Sequence, residues 1–412
     1  MSTATLPAPI AARRAPWGVV PPVLVVLAAI PAIRGRLLLL DLAAVVALPL
    51  LLGELWRSRR LAPLVVTAAV WAAGQLLADV VNGLGVRPNM EFVTIGTAVA
   101  VTLGLARLAA DDPRRVRVLV AAVALGLATQ EVVFPAGSHP TVAHLWKFAL
   151  AVPVSIAVLA LTDLSWHARS RAPTFVALPV LAGIDLLADA RSMAALTLLT
   201  LALYLVPPNR SARLRVATAV TTVVVLCALL VGGFSAAARA GWLGPRSAEQ
   251  LGRDSGDVVS VLANARPELL QAYHLAGQRP LTGYGSRPRL DSAAFLASLD
   301  HLAADRVAVD QNLRGDWLGK LDPGVGAHSM AMDAVVRAGV LAVPFWLYLM
   351  ALATRRGVTA VRFRASPLVL FWSLNVLWDA LFSPLSGLQH VLLAAYLAVV
   401  LLPLPARPGE PS

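Results

Sequence analysis

The stretch PRRVRVLVAAVALGLATQEVVF, residues 113–134, decides how the chain is built. Arg114, Arg115 and Arg117 crowd its start, and no further charge follows until Glu131. An apolar run of about 20 residues is the length of helix that crosses a hydrocarbon core. The run is continuous rather than alternating, which excludes a strand of a membrane β-barrel. Similar runs recur at 17–33, 37–55, 61–81, 92–109, 146–163, 173–189, 192–207, 216–237, 329–352, 366–384 and 388–404. The reading is an all-α polytopic membrane protein of about 12 transmembrane helices, the seventh and eighth of them short.

Composition agrees. Of 412 residues, 58% are hydrophobic and only 14% charged, with a mean hydropathy of +0.71. Soluble domains carry about 25% charged residues. The single cysteine, Cys227, rules out a disulfide within the chain and a thiolate metal site. The first run follows Arg13 and Arg14 without a small-residue cleavage site, so it reads as a retained anchor. Lys147 and Lys320 are the only lysines, the usage of a GC-rich bacterial genome.

The net charge of +12 is a matter of topology, not of nucleic-acid binding. Residues 238–328 hold 10 basic and 10 acidic side chains, so the whole excess lies elsewhere, in the short hinges. Every second hinge is basic: Arg57, Arg59 and Arg60; Arg114, Arg115 and Arg117; Arg169 and Arg171; Arg210, Arg213 and Arg215; Arg355, Arg356, Arg362 and Arg364. These hinges are expected in the cytoplasm, with both termini. Arg34 and Arg36 break the pattern and are expected to snorkel to headgroups.

The alternation divides the chain into nine helices over 1–237, a long extracytoplasmic loop over 238–328, three helices over 329–404, and a cytoplasmic tail over 405–412. The loop is the one long polar segment, with helix-like patches at 247–263, 266–277 and 292–309. A loop of this length in a compact protein is usually functional.

Several residues carry candidate chemistry. His328 ends the loop at the start of a helix, and a neutral imidazole there can take a proton from a hydroxyl or merely cap the helix. Arg191 stands between two apolar runs, after Asp185 and Asp189, which are four apart on one helical face. Intramembrane charge is costly and is paired or functional; an arginine fork suits a phosphate, and a structural ion pair is the competing reading. Arg266 lies in the loop, where most arginines are simply solvated. Lys147, at an outer helix start, attracts an anion or anchors the interface. Asp333 and Arg337, four apart, read as a helix salt bridge. Asp79, Glu131 and Asp379 lie in or near apolar runs without evident partners. His139 and His144 are close, but no third ligand is evident, so no metal is expected. Phosphate-loop, nucleophile-elbow and zinc-protease motifs are missing from the sequence.

Three ordered blocks resemble the O-antigen ligase and O-antigen polymerase family of bacterial surface-polysaccharide enzymes. The first is Ala188-Asp189-Ala190-Arg191-Ser192. The second runs from Arg266-Pro267-Glu268 to Arg279-Pro280-Leu281-Thr282-Gly283-Tyr284-Gly285. The third is His328-Ser329-Met330-Ala331-Met332, with Gly339 eleven residues after the histidine. The chain departs from the family at Ala190 (usually Ser), Leu270 (often Trp), Ser329 (usually Asn), Arg337 (commonly acidic) and Ala342 (commonly Gly).

The resemblance implies a GT-C-like membrane glycosyltransferase, without metal or cofactor. It would move a glycan from a polyprenyl diphosphate to an acceptor hydroxyl on the outer side of the bacterial cytoplasmic membrane. The acceptor would be a glycan, lipid or protein. His328 would be the base. Arg191 and Arg266 would hold the diphosphate, where positive charge must meet the leaving group. Lys147, Arg279 and Tyr284 are further candidates for contact with substrate. The Gly283-Tyr284-Gly285 turn either lets the backbone approach the donor or is a loop corner, and the corner is favoured. A transporter or flippase of a lipid-linked saccharide is the alternative, although no internal repeat supports it.

Overall fold

A computed structural model describes residues 17–33, 37–57, 60–85, 91–110, 112–135, 139–166, 172–206, 267–286, 329–363, 366–383 and 388–401, with a few isolated positions between 217 and 240. Most of the ninth apolar run, most of the 238–328 loop, both chain ends, and with them Arg266 and His328, lie outside the described residues.

The described chain is helical. In order it forms α1 (Val20–Ala29), α2 (Leu39–Arg57), α3 (Ala62–Val81), α4 (Glu91–Ala109), α5 (Pro113–Val133), α6 (Val142–Leu145) and α7 (Ala151–Trp166). Then come α8 (Ala172–Leu187), α9 (Arg191–Leu205), α10 (Pro267–Gln278), α11 (Met330–Ala338), α12 (Val343–Phe363), α13 (Pro367–Phe382) and α14 (Gln389–Leu401). Among the described residues, five helical stretches are long and apolar enough to cross a membrane: Ala62–Val81, Glu91–Ala109, Pro113–Val133, Val142–Leu164 and Met330–Phe363. Six shorter apolar helices accompany them. This is an all-α membrane protein. In lipid every backbone N–H and C=O must be satisfied within the segment, which is why the apolar runs become helices. Large apolar side chains such as Leu50, Val46, Val66 and Leu187 point outward, as a lipid-facing surface requires.

Three local features differ from the simple reading of one run, one helix. Pro31–Ile33 pairs antiparallel with Leu37–Leu38, closing a short hairpin between α1 and α2. The sixth run begins early, because α6 leads through a π-turn at Trp146–Leu150 into α7. The 329–352 run breaks at Gly339, whose φ of 68° ends α11; a 3-10 turn at Gly339–Ala342 then leads into α12.

α5 is buried along most of its length between α1, α7, α4 and α14. Gly126 permits the close approach of α1: a Cβ there would lie 2.6 Å from both the Ala28 Cβ and the Val25 carbonyl oxygen. Small residues at such a crossing are what packs helices in lipid, where water supplies no drive. Trp71 of α3 stacks against Phe345 and Trp346 of α12, with ring centroids 4.9 and 5.6 Å away.

Polar contacts identify the two ends of the bundle. At one end Arg117 of α5 is paired with Asp163 of α7, and Ser366, the cap of α13, donates to the same carboxylate at 2.7 Å. The sequence groups Arg117 with the exposed hinge arginines, yet it is buried. α5 starts at Pro113 with Asp112 as its cap, so Arg117 falls one turn inside the helix and faces α7. The helices α5, α7 and α13 run from this end to the opposite one. There Glu131, Lys147 and Ala380 lie.

Candidate functional site

Lys147, Arg191 and Ser329 share that opposite end. Ser329 caps α11 by accepting from the Met332 N–H at 3.2 Å, and its hydroxyl donates to the Ala380 carbonyl at 2.7 Å. Ala380 belongs to the last turn of α13, and α13 also packs against α9, which begins at Arg191. His328 immediately precedes Ser329 and, with Arg266, lies outside the described residues.

The α8–α9 corner is built around two aspartates. Asp185 is fully buried and accepts from the Trp146 indole at 2.8 Å and from the Thr197 hydroxyl at 3.4 Å. Its backbone carbonyl takes the Ala190 N–H at 2.7 Å, while the Asp189 N–H reaches the Leu186 carbonyl at 3.1 Å. That pair of bonds is a Schellman ending, which puts its penultimate residue in the left-handed region. Asp189 occupies that position with φ 56°, where glycine is usual.

The aspartate supplies what glycine lacks. One Asp189 oxygen accepts from Arg191 Nε at 2.7 Å and the other from Lys147 Nζ at 3.0 Å. The carboxylate therefore ties the start of α9 to the π-turn below α7. Its pKa is held below the ordinary carboxylate range, chiefly by the Lys147 hydrogen bond, with burial opposing and the Arg191 hydrogen bond and charge adding to the lowering. The sequence offered Asp185 and Asp189 together as partners for Arg191. The structure divides them: Asp189 takes the arginine, and Asp185 turns inward to Trp146 and Thr197. The group keeps a formal net charge of +1 and stays open to solvent, with Arg191 50% and Lys147 36% exposed.

Arg279 and Tyr284 form a second group. The Arg279 guanidinium lies 4.7 Å from the Tyr284 ring centroid and donates to the Asn82 side-chain oxygen at 2.6 Å. Tyr284 is 6% exposed and donates its hydroxyl to Gln278 at 2.8 Å. The backbone here is a clamp. Tyr284 and Gly285 donate N–H bonds to the Val336 and Arg337 carbonyls at 2.8 and 2.9 Å, and Val340 donates to the Pro280 carbonyl at 2.7 Å. Gly283 and Gly339 touch backbone on both sides of this junction. The Gly283-Tyr284-Gly285 turn thus packs as a corner of the loop against α11.

Sequence reasoning named Asp79, Asp333, Arg337 and Asp379 but missed most of the partners in the surrounding polar network. Asp79 in α3 accepts from the Ser286 backbone N–H and, at 2.8 Å, from its hydroxyl. Arg337 bridges Glu91 at 2.6 Å and Asp333 at 3.2 Å. The expected Asp333–Arg337 helix pair is present, and Glu91 extends it. Asp379 accepts from Asn375 and Ser383. Asp41 and His390, 349 positions apart, pair at 3.1 Å in the interior. Partners so distant in sequence leave no local signal beyond a charged residue in an apolar run. Among the described residues, no three metal-ligating side chains gather into one group. No family model, curated protein or solved structure matches the chain.

Proposed function

We propose that the chain is a membrane glycosyltransferase of the O-antigen ligase or polymerase kind. It would move a glycan from a polyprenyl diphosphate to an acceptor hydroxyl at the extracytoplasmic surface of a bacterial cytoplasmic membrane. The observation that carries this reading is the arrangement of Lys147 and Arg191 on one carboxylate, at the bundle end where Ser329, the neighbour of His328 in sequence, is hydrogen-bonded to α13.

The chemistry follows from those groups. A departing lipid diphosphate gathers negative charge, and preorganised cations stabilise it. Asp189 holds the arginine fork and the lysine in place before substrate arrives. Arg191 is the first residue of α9, whose N-terminal N–H groups add partial positive charge. Arg266 would complete the cradle from the loop. His328 would accept the acceptor's hydroxyl proton as the oxygen attacks the anomeric carbon and the C–O bond to the diphosphate breaks. The clamp at 280–286 fixes this part of the loop to α3 and α11.

The test is transfer by the purified protein from a lipid-linked glycan. His328→Ala abolishes transfer while the protein still inserts normally. Arg191→Lys lowers turnover by about 10²–10³, because a point charge does not replace a planar fork. EDTA leaves the wild type active. Full activity in the His328→Ala variant removes the proposed base. The transporter reading draws on the buried Asp41–His390 pair, since intramembrane carboxylate–histidine pairs occur in proton relays. It predicts movement of the lipid-linked saccharide across vesicles with no glycosidic bond made or broken.

A further inference from the structure

The start of α12, the last turns of α13 and the start of α14 enclose a cavity, with Met330 of α11 beside it. Its volume is about 20 Å3, room for one hydroxyl or one water, and it is open on one side. Ser329, the residue before Met330, is bonded to Ala380, so the cavity lies at the bundle end on which the transfer reading rests.

Two buried polar atoms of its lining residues lack a partner among the described residues. One is the Trp346 indole N–H, a donor; the other is the Asn375 side-chain carbonyl oxygen, an acceptor. Both residues are 2% exposed. The neighbours of the amide set its orientation. Asn375 Nδ2 donates to one Asp379 oxygen at 2.7 Å, and the Ser383 hydroxyl donates to the other at 2.6 Å. Turned round, the amide would set its oxygen against the carboxylate, so the oxygen is the atom left over. Buried polar groups are otherwise almost always paired, and a lone donor beside a lone acceptor calls for an occupant.

One kind of group meets both atoms. A hydroxyl accepts from the Trp346 N–H and donates to the Asn375 oxygen. An ammonium has only protons to give and leaves the indole unmet. A phosphate or carboxylate oxygen has only lone pairs, and it opposes both the Asn375 oxygen and Asp379. We propose that this cavity is a hydroxyl subsite for a saccharide, with one ring hydroxyl inside and the sugar ring at the mouth. The subsite rests on the transfer reading for its role and names the acceptor class, a glycan. A ligand with one hydroxyl held here needs another free to react, which a single serine or lipid alcohol does not have.

The experiment reads binding and transfer separately. The full-length chain, 15N-labelled at tryptophan and held in lipid nanodiscs, is titrated with the methyl glycosides of glucose, galactose, mannose and N-acetylglucosamine, and with methylamine. The Trp346 indole signal is identified by its loss in Trp346→Phe. At least one glycoside shifts that signal saturably, and methylamine leaves it in place. Trp346→Phe, which keeps an aromatic ring, weakens glycoside binding about threefold to tenfold by saturation-transfer NMR, as does Asn375→Leu. Thermal melts verify folding, and Trp346→Phe alone decides the matter if Asn375→Leu is unfolded. No shift with any glycoside overturns the proposal. So does an equal shift with methylamine, unchanged binding in folded Trp346→Phe, or a bound water on the indole that no sugar displaces. A wild type that binds a glycoside but makes no glycosidic bond from a lipid-linked glycan fails the transfer reading and keeps the subsite. Transfer with an unshifted Trp346 signal fails the subsite alone.

Discussion

Replacing Asp189 by glycine separates the fold of the α8–α9 corner from its proposed chemistry. Asp189 sits at φ 56°, a left-handed conformation that costs an ordinary residue about 1–2 kcal/mol and glycine almost nothing. The ion pairs lost with it are exposed, since Asp189 is 59% and Arg191 50% accessible, and such pairs contribute about 0.2–1 kcal/mol each. The two terms nearly cancel. Asp189→Gly is therefore expected to shift stability by no more than about 1 kcal/mol, which moves a thermal melt by roughly 2–4 °C at most. Turnover behaves differently. With the carboxylate gone, Lys147 and Arg191 lose the group that positions them, and misplacement of about 1 Å costs about 10²-fold. Asp189→Asn keeps the shape of the side chain and the backbone strain but loses the charge. It is expected to match glycine in activity and to be the less stable of the two. The assay pairs circular-dichroism melts in detergent with transfer from a lipid-linked glycan. A melt lowered by tens of degrees in Asp189→Gly, or turnover equal to wild type in both variants, refutes the reasoning.

Acid offers a second view of the same carboxylate. Its pKa is lowered in the fold, so its contribution is fully present above the ordinary value of about 3.9 and fades as pH falls through the lowered native value. The stability difference between wild type and Asp189→Asn should accordingly be constant above about pH 5 and vanish in stronger acid, as read by urea titration at a series of pH values. Gly283→Ala would place a Cβ 2.4 Å from the Arg337 carbonyl oxygen at φ 58°, and Gly339→Ala one 2.3 Å from that of Leu281 at φ 68°. Either should release the 280–286 clamp and speed limited proteolysis of the 238–328 segment several-fold, without altering helix content. Arg337→Met removes the guanidinium that Glu91 and Asp333 share and should cost about 3–5 kcal/mol, while Glu91→Gln leaves the Asp333 pair and should cost less. Chemical denaturation of the two variants side by side checks that order.

The helices were legible in the sequence because the bilayer imposes one rule on every apolar run: satisfy the backbone internally. The 113–134 run and the α3 and α4 runs follow from composition over about 20 residues. The Asp333–Arg337 pair was legible too, since four residues make one turn of helix. Asp189, four after Asp185, was a candidate partner for Arg191 on the same ground. Which aspartate takes the arginine depends on Lys147 and Trp146, 42 and 39 positions earlier in the chain. The roles of Asp79, Glu91, Asp41 and His390 were invisible because each is completed by a residue brought from another helix or from the loop.

Sequence alone determined that this chain is a bundle of apolar helices, and it drew attention to Arg191, Lys147, Arg279 and Tyr284. Tertiary structure alone decided that the Gly283-Tyr284-Gly285 turn is a clamp on α11, that Arg117 is buried on Asp163, and that two histidine nitrogens five residues apart face each other. The reason lies in the range of the forces. Hydrophobicity and backbone hydrogen bonding act along the chain and can be summed from composition. A polar group inside a bundle takes its meaning from the single partner that packing sets opposite it.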